Sequence, residues 1–334
     1  MRLFYLTIIG TILSLSCGCK SLQSVVFGTK PAAKIPIVFA TTPTLEQVKE
    51  EFNKRYASIQ SLSTSTAVFS ASNAPVSMRS CSIVYEKPKR LRVRGGVALM
   101  GTELDLGSND ELFWFWGKRL EPKAIYYANH SEFANNPARS IIPIEPEWLI
   151  ETLGIIELKD TDTHEGPKRD DDGNLQVTSY LQTPRGTYPR QITFNPQTGA
   201  ILKYAIYTPN GLPFVGAILS DHEVDPVHGI LYAKKIVITC PDADVTITIN
   251  MGTVSFNSSG SFVPDAFVMP TYPGYIPVDL CSPEYQRQFG PGQQLSPTFP
   301  PTTTNDPAPA PPVAYQEEIA GTTASSSVFI RSSR

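Results

Sequence analysis

The sequence predicts an α+β protein, a single antiparallel sheet of many short strands with a few helices over it. Three observations carry this. From residue 64 to about 130, and again from about 175 to 254, short runs rich in Val, Ile, Thr, Tyr and Phe are broken by turn residues every ten or so positions, the pattern of an antiparallel meander. One segment, 45–61, instead repeats its apolar residues at helical spacing. Hydrophobic residues are 41% of the 334, and charged residues 18%, enough apolar surface for one sizeable core. The net charge of −3 supplies no basic excess for a nucleic-acid partner.

In chain order, MRLFYLTIIGTILSLSCGCK comes first. Arg2 precedes an apolar run from Leu3 to Leu15, and small residues and two cysteines follow. This is the layout of a secretory signal peptide, residues 1–18. The run is too short to cross a hydrocarbon core of ~30 Å, which needs about 20 apolar residues. A cysteine directly after small residues resembles the lipobox of bacterial lipoproteins. That resemblance implies lipidation at Cys19, which follows Gly18, with Cys17, which follows Ser16, as the alternative. Neither cysteine has the leucine usual three residues earlier. Neither is followed by aspartate, which by the same resemblance implies an outer-membrane address facing the periplasm. Acyl chains contribute ~0.8 kcal/mol per buried CH₂, so such a lipid would hold the protein on a membrane without a spanning helix.

Residues 19–43, with Pro31, Pro36 and Pro43, read as a tether to the folded domain, 44–282. Thr44 followed by Gln47 is a capping box. Leu45, Val48, Phe52, Tyr56 and Ile59 then form the apolar face of the first helix. Strands follow: STSTAVFSAS, SMRSCSIVYEKP, KRLRVRGGVAL, TELDLGS, ELFWFWGK and KAIYYAN. In TELDLGS, Leu104 and Leu106 alternate with Glu103 and Asp105. A second helix is expected near 145–153, between Pro146 and Gly154. The region 159–174 is charged and turn-like. Strands resume with LQVTSYLQT, RQITFN, GAILKYAIYT, GILYAKKIVITC and DVTITINMGTV, with hairpin turns at 195–199 and 209–211. Residues 283–334, rich in Pro, Ser, Thr and Gln, read as a disordered tail.

Candidate chemistry is sparse. His130, His164, His222 and His228 are the four histidines. Asp221-His222-Glu223 and Asp225 to His228 bring ligand types close in sequence, in what reads as a loop, and no metal spacing supports them. Asp170-Asp171-Asp172-Gly173-Asn174 lacks the alternating ligands and closing glutamate of a calcium loop, so a hairpin turn accounts for it. No GxSxG, P-loop or dinucleotide loop occurs. The reading is therefore not an enzyme, with no cofactor and no metal. Arg90, Arg92 and Arg94 would share one strand face, either solvated or set against anionic headgroups. Cys81, Cys240 and Cys281 are too far apart in sequence for spacing to assign a pair.

Taken together, YASIQSL ending the helix, the strand TAVFSAS, VYEKPKRLRV, DLGSNDELFWFW and YLQTPRGTYPRQITFNPQTGAILKYAIYTPNG resemble the family of LolA and LolB, the periplasmic carrier and outer-membrane receptor of lipoproteins. Roughly residues 44–281 are covered. The resemblance implies a curved antiparallel sheet forming an incomplete barrel, with helices over its mouth and an apolar inner face for lipid or lipoprotein acyl chains. It implies Trp114, Trp116, Phe113 and Phe115 as candidate lining, or else as core under a helix. The arginine that LolA carriers place before the proline of this motif is Lys87 here, which keeps the charge but loses the planar fork. The expected role is a membrane-fixed, receptor-like acyl-chain binder. The alternative is a structural envelope lipoprotein using the fold as an interaction scaffold without a ligand.

Overall fold

A computed structural model describes residues 34–72, 77–97, 100–133, 136, 146–183, 186–241, 244–258 and 265–285. The signal peptide with Cys17 and Cys19, most of the tether, and the tail beyond 285 lie outside the described residues.

Local sequence rules place the first helix, α1, at Leu45–Ser58. Thr44 Oγ1 accepts from the Gln47 amide at 3.3 Å, and the Gln47 side chain accepts from the Thr44 amide at 2.9 Å. This closes the capping box and satisfies two of the amides a helix start leaves over. Val48 and Phe52 are buried against the sheet. Phe52 meets Phe194 edge to face at 5.2 Å. Asn53 hydrogen-bonds both ways to the Leu158 backbone.

Among the described residues fifteen strands follow. The first six are β1 (Ser61–Ala71), β2 (Met78–Glu86), β3 (Arg90–Val97), β4 (Gly101–Ser108), β5 (Leu112–Gly117) and β6 (Ala124–Asn129). Two short helices come next, α2 (His130–Phe133) and α3 (Pro146–Thr152). The remainder are β7 (Thr163–Arg169), β8 (Leu175–Thr183), β9 (Gly186–Phe194), β10 (Ile201–Tyr207), β11 (Pro213–Val224), β12 (Leu231–Cys240), β13 (Val245–Asn250), β14 (Ser255–Phe256) and β15 (Ile276–Asp279).

All belong to one sheet in the order β15-β6-β5-β4-β3-β2-β1-β13-β12-β11-β10-β9-β8-β7, with β14 beside β1. The sheet is mixed. β15 runs parallel to β6, whereas the predicted sheet was wholly antiparallel. It is not closed into a barrel, because β15 and β7 end the order.

The 159–174 region also departs from the turn-like expectation. It contains β7, whose charged sequence THEGPKR suits an edge strand that must not recruit another chain. Only 170–174 is the hairpin turn, with Asp170 accepting from the Asn174 amide at 2.7 Å. β11 was not expected, and it takes in Asp221, His222 and Glu223, which are strand residues rather than a loop. The domain also reaches past both predicted boundaries. Phe39 is buried, and the Val38 and Phe39 amides bond to Gln197 O. At the other end Tyr285 is buried as well.

The main core lies between α1, α3 with its trailing 153–158 segment, and strands β1–β3 and β8–β13. α3 is held by Trp148, which packs on Tyr188 and Phe214. It is also held by Glu151, whose two oxygens take Arg190 Nη1 and the Tyr204 hydroxyl. Arg190 is 1% exposed and also reaches Glu157 O and Ser179. A cation buried this deeply persists because Glu151, Glu157 O and Ser179 take its terminal nitrogens, although its Nε has no partner among the described residues. No described helix is long and apolar enough to cross a membrane.

Candidate functional site

The strand LFWFW, β5, presents its two faces to two separate clusters. Trp114 and Trp116 share one face with Ile125, Leu112 and Tyr127, and Met269, Tyr272 and Tyr275 cover them. Phe113 and Phe115 share the other with Tyr126 and Phe133, covered by Leu280 and Tyr285. The covering residues belong to one segment, 265–285, a strap that passes over one face of the sheet, joins its edge as β15 and packs on the opposite face. The lining predicted for these four aromatics is thus occupied by the chain's own residues, and they are core of the β3–β6 end.

The face under the strap has a definite chemistry. In cross-strand register, Arg94, Asp105 and Trp116 form one row, and Arg92, Gly107 and Trp114 the next. Asp105 is fully buried, whereas Leu104 and Leu106, which alternate with it, are partly exposed. Arg92 forks onto both Asp105 oxygens at 3.1 and 2.8 Å, and the Tyr272 hydroxyl donates to Oδ2 at 2.7 Å. A buried carboxylate is tolerable when paired and hydrogen-bonded in this way. Tyr272 stacks on Trp116 at 3.8 Å. A Cβ on Gly107 would lie 2.0 Å from Trp114 Cζ2, so the indole lies in space that only glycine leaves open. The basic run is committed too. Arg90 pairs with Glu86 and Asp110, and Arg92 and Arg94 with Asp105, which accounts for their charges without lipid headgroups.

Lys87 is placed at the far end of α1. Its ammonium donates to Tyr56 O at 2.8 Å and lies 3.8 Å from the centre of the Tyr56 ring. A cation at a helix C-terminus meets carbonyls without partners and the negative end of the helix dipole. Burial lowers its pKa from the usual lysine value.

Tyr56 in turn lines a cleft between α1, the 153–156 segment and β10–β12. Phe52, Ile59, Leu62, Leu153, Ile156, Leu219, Phe256 and Ala233 are among its apolar walls. Arg55, His222 and Tyr232 are, with Tyr56, its polar members. Its interior is about 40 Å³, space for about three waters at roughly 10–15 Å³ each. Sequence reasoning missed this site because its walls come from six segments far apart in the sequence. One local signal existed, the unbroken apolar spacing of α1 through Tyr56 and Ile59. Among the described residues no cluster of His, Cys, Asp or Glu fits a metal ion. His164 bonds to Ser179 and Lys159 O, and His228 to Asp225.

No protein-family model and no curated protein matches the chain. Among solved structures it is similar to a domain from Vibrio parahaemolyticus described as outer membrane lipoprotein-sorting (TM-score 0.46, 13% identity, 67% of this chain and 97% of that one). It is also similar to a DUF1329 family protein from Desulfovibrio piger (0.43, 15%, 69% and 98%). A third is a LolA superfamily protein from Nitrosomonas europaea (0.41, 8%, 66% and 97%).

Proposed function

We propose that this protein is a cell-envelope lipoprotein that receives a lipid or lipoprotein acyl chain in the cleft beneath α1. The proposal includes a signal peptide ending at residue 18, a lipid on Cys19 (or Cys17 if cleavage falls earlier), and an address at the outer membrane facing the periplasm. The sheet, curved as an incomplete barrel in the LolA/LolB manner, supplies the walls. The observation that carries the reading is the lining itself. Eleven apolar side chains line it against four that carry a polar group, Arg55, Tyr56, His222 and Tyr232, and an acyl chain offers almost nothing to hydrogen-bond. At about 40 Å³ the cleft must widen on loading. The 153–158 segment is the wall that would move, since it contributes side chains rather than sheet ladder. Lys87 acts at one remove, fixing the Tyr56 ring and the end of α1. No catalytic residue, metal or cofactor enters the reading.

The test is mass spectrometry of lipids carried through purification by the signal-less soluble chain, with Ala233→Trp as the filled-cleft control. Acyl lipid at a substantial fraction of one per chain, lost in Ala233→Trp, is the expected result. A wild type that carries none and takes up none on incubation would end the reading. The narrowness of the cleft favours one alternative, a scaffold that uses the same fold for protein interaction, and that result would leave it standing.

A further inference from the structure

The polar groups of the cleft are unequally committed. Arg55 gives Nε to Glu51, Nη1 to Gly199 O and Nη2 to Thr198 O, all within 2.8 Å. The Tyr232 hydroxyl donates to Glu223. Lys87, behind Tyr56, already holds a carbonyl. Every cation at this site is therefore matched by an anion or by backbone oxygens.

His222 differs. Its Nε2 lies 2.8 Å from Ile201 O. A carbonyl can only accept, so this nitrogen carries the hydrogen. Burial lowers the ring's pKa from its usual value, which keeps it neutral near pH 7 and makes Nδ1 a bare acceptor. Among the described residues nothing donates to Nδ1.

The backbone breaks its alternation at this point. Asp221, the residue before His222, has φ of 54° in mid-strand, the left-handed region that non-glycine residues seldom occupy and whose occupancy clusters at functional sites. The register runs on unbroken, Ser220 opposite Lys235 and His222 opposite Ala233. Yet Leu219 and His222, three apart and on opposite faces of a regular strand, both line the cleft.

We infer that the cleft takes an uncharged lipid with a hydroxyl at its polar end, the hydroxyl donating to His222 Nδ1. The inference rests on the acyl-chain reading above and narrows it to a ligand class, alcohols and acylglycerols with a free hydroxyl rather than fatty-acid anions. A carboxylate would bring no donor to Nδ1, find no unmatched cation, and lose its hydration. A methyl ester would fit the walls but leave Nδ1 unmet.

The test uses the full mature chain and the neutral fluorescent probe N-phenyl-1-naphthylamine. Three competitors with a twelve-carbon chain are compared at pH 8: 1-dodecanol, methyl dodecanoate and dodecanoate. Dodecanol should displace the probe at a concentration about tenfold below dodecanoate, a gap of about 1.4 kcal/mol. It should outcompete the ester several-fold, as expected for one added hydrogen bond. In His222→Phe the alcohol and ester should become equal while probe affinity is kept, and His222→Gln, with an amide oxygen to accept, should restore part of the gap. Dodecanoate competing as well as dodecanol, or an alcohol–ester gap that survives in His222→Phe, overturns the inference. Binding of the probe and all three chains without preference would sink this inference alone. Binding of none would sink the acyl-chain reading with it. The wild-type comparison decides by itself should His222→Phe fail to fold.

Discussion

The β3–β6 end and the α1 side of the sheet bury aromatic surface in opposite ways. At the β3–β6 end, Trp114, Trp116, Phe113 and Phe115 are sealed on both faces by one segment, 265–285. Under α1 the lid is two pieces, the helix and the 153–158 segment, and a cleft remains where they meet. The most conspicuous aromatic run in the chain is thus spent on closing the molecule on itself. The less conspicuous face of an ordinary amphipathic helix borders the space. A dense aromatic strand reports large buried area, and whether a ligand or the chain itself supplies the partner is decided elsewhere in the sequence.

The contrast can be broken most severely through Glu151. Removing it in Glu151→Ala leaves Arg190 buried without its partner, an expected loss of about 3–5 kcal/mol. Denaturant unfolding should show that loss, and α3 should detach from the cleft side first in hydrogen exchange. Protection of β5 and β6 that falls equally early would mean the two regions are one cooperative unit. Gly107→Ala tests the other end. The added carbon collides with Trp114, an overpacking cost of about 1–3 kcal/mol, with cleft binding per folded molecule unchanged. Tyr272→Phe keeps the stacking on Trp116 and removes the donor to Asp105. An expected cost of about 1–3 kcal/mol should appear with earlier proteolytic cutting inside 265–285, and cutting at the wild-type rate would show that the hydroxyl does not hold the strap. Thr44→Ala removes the cap of α1, worth about 1 kcal/mol, and should loosen the cleft without touching the strap. The smallest effect is acid sensitivity. Burial lowers the pKa of His222 on the cleft side and of His130 at the strap end. The unfolded chain then binds protons that the folded one does not, so stability is full above the ordinary histidine value near 6.5 and falls as pH drops below it. His222→Gln and His130→Gln should each flatten part of that slope, and a slope unchanged in both would assign it to other groups.

Much of the fold was legible because its signals are local. The capping box at Thr44 and Gln47 starts α1 where expected, LQVTSYLQT is β8 to the residue, and the turn at 195–199 falls between the two strands predicted to flank it. What was missed is non-local or breaks period. β7 hides behind the charges of an edge strand. Asp221 turns the pleat, so His222 could not be placed by alternation. The strap's contacts span more than 150 residues, such as Tyr272 to Asp105 and Tyr275 to Lys118 O, and no window of sequence contains both partners. Lys87 was located by its motif, but its actual partner, the Tyr56 carbonyl, follows from how α1 ends.

The strap also fixes where the molecule can be pulled. The chain joins the domain at Val38, beside the β9–β10 turn, and its described part ends at Tyr285, beyond β6. Between these points along the sheet lie β10, β11, β12, β13, β1, β2, β3, β4 and β5. Tension between the two ends therefore runs across the strands, along their hydrogen bonds, and opens ladders one bond at a time rather than shearing many at once. A protein held at its start and tugged at its tail would yield at low force, and it would yield first at the four-residue strand β15.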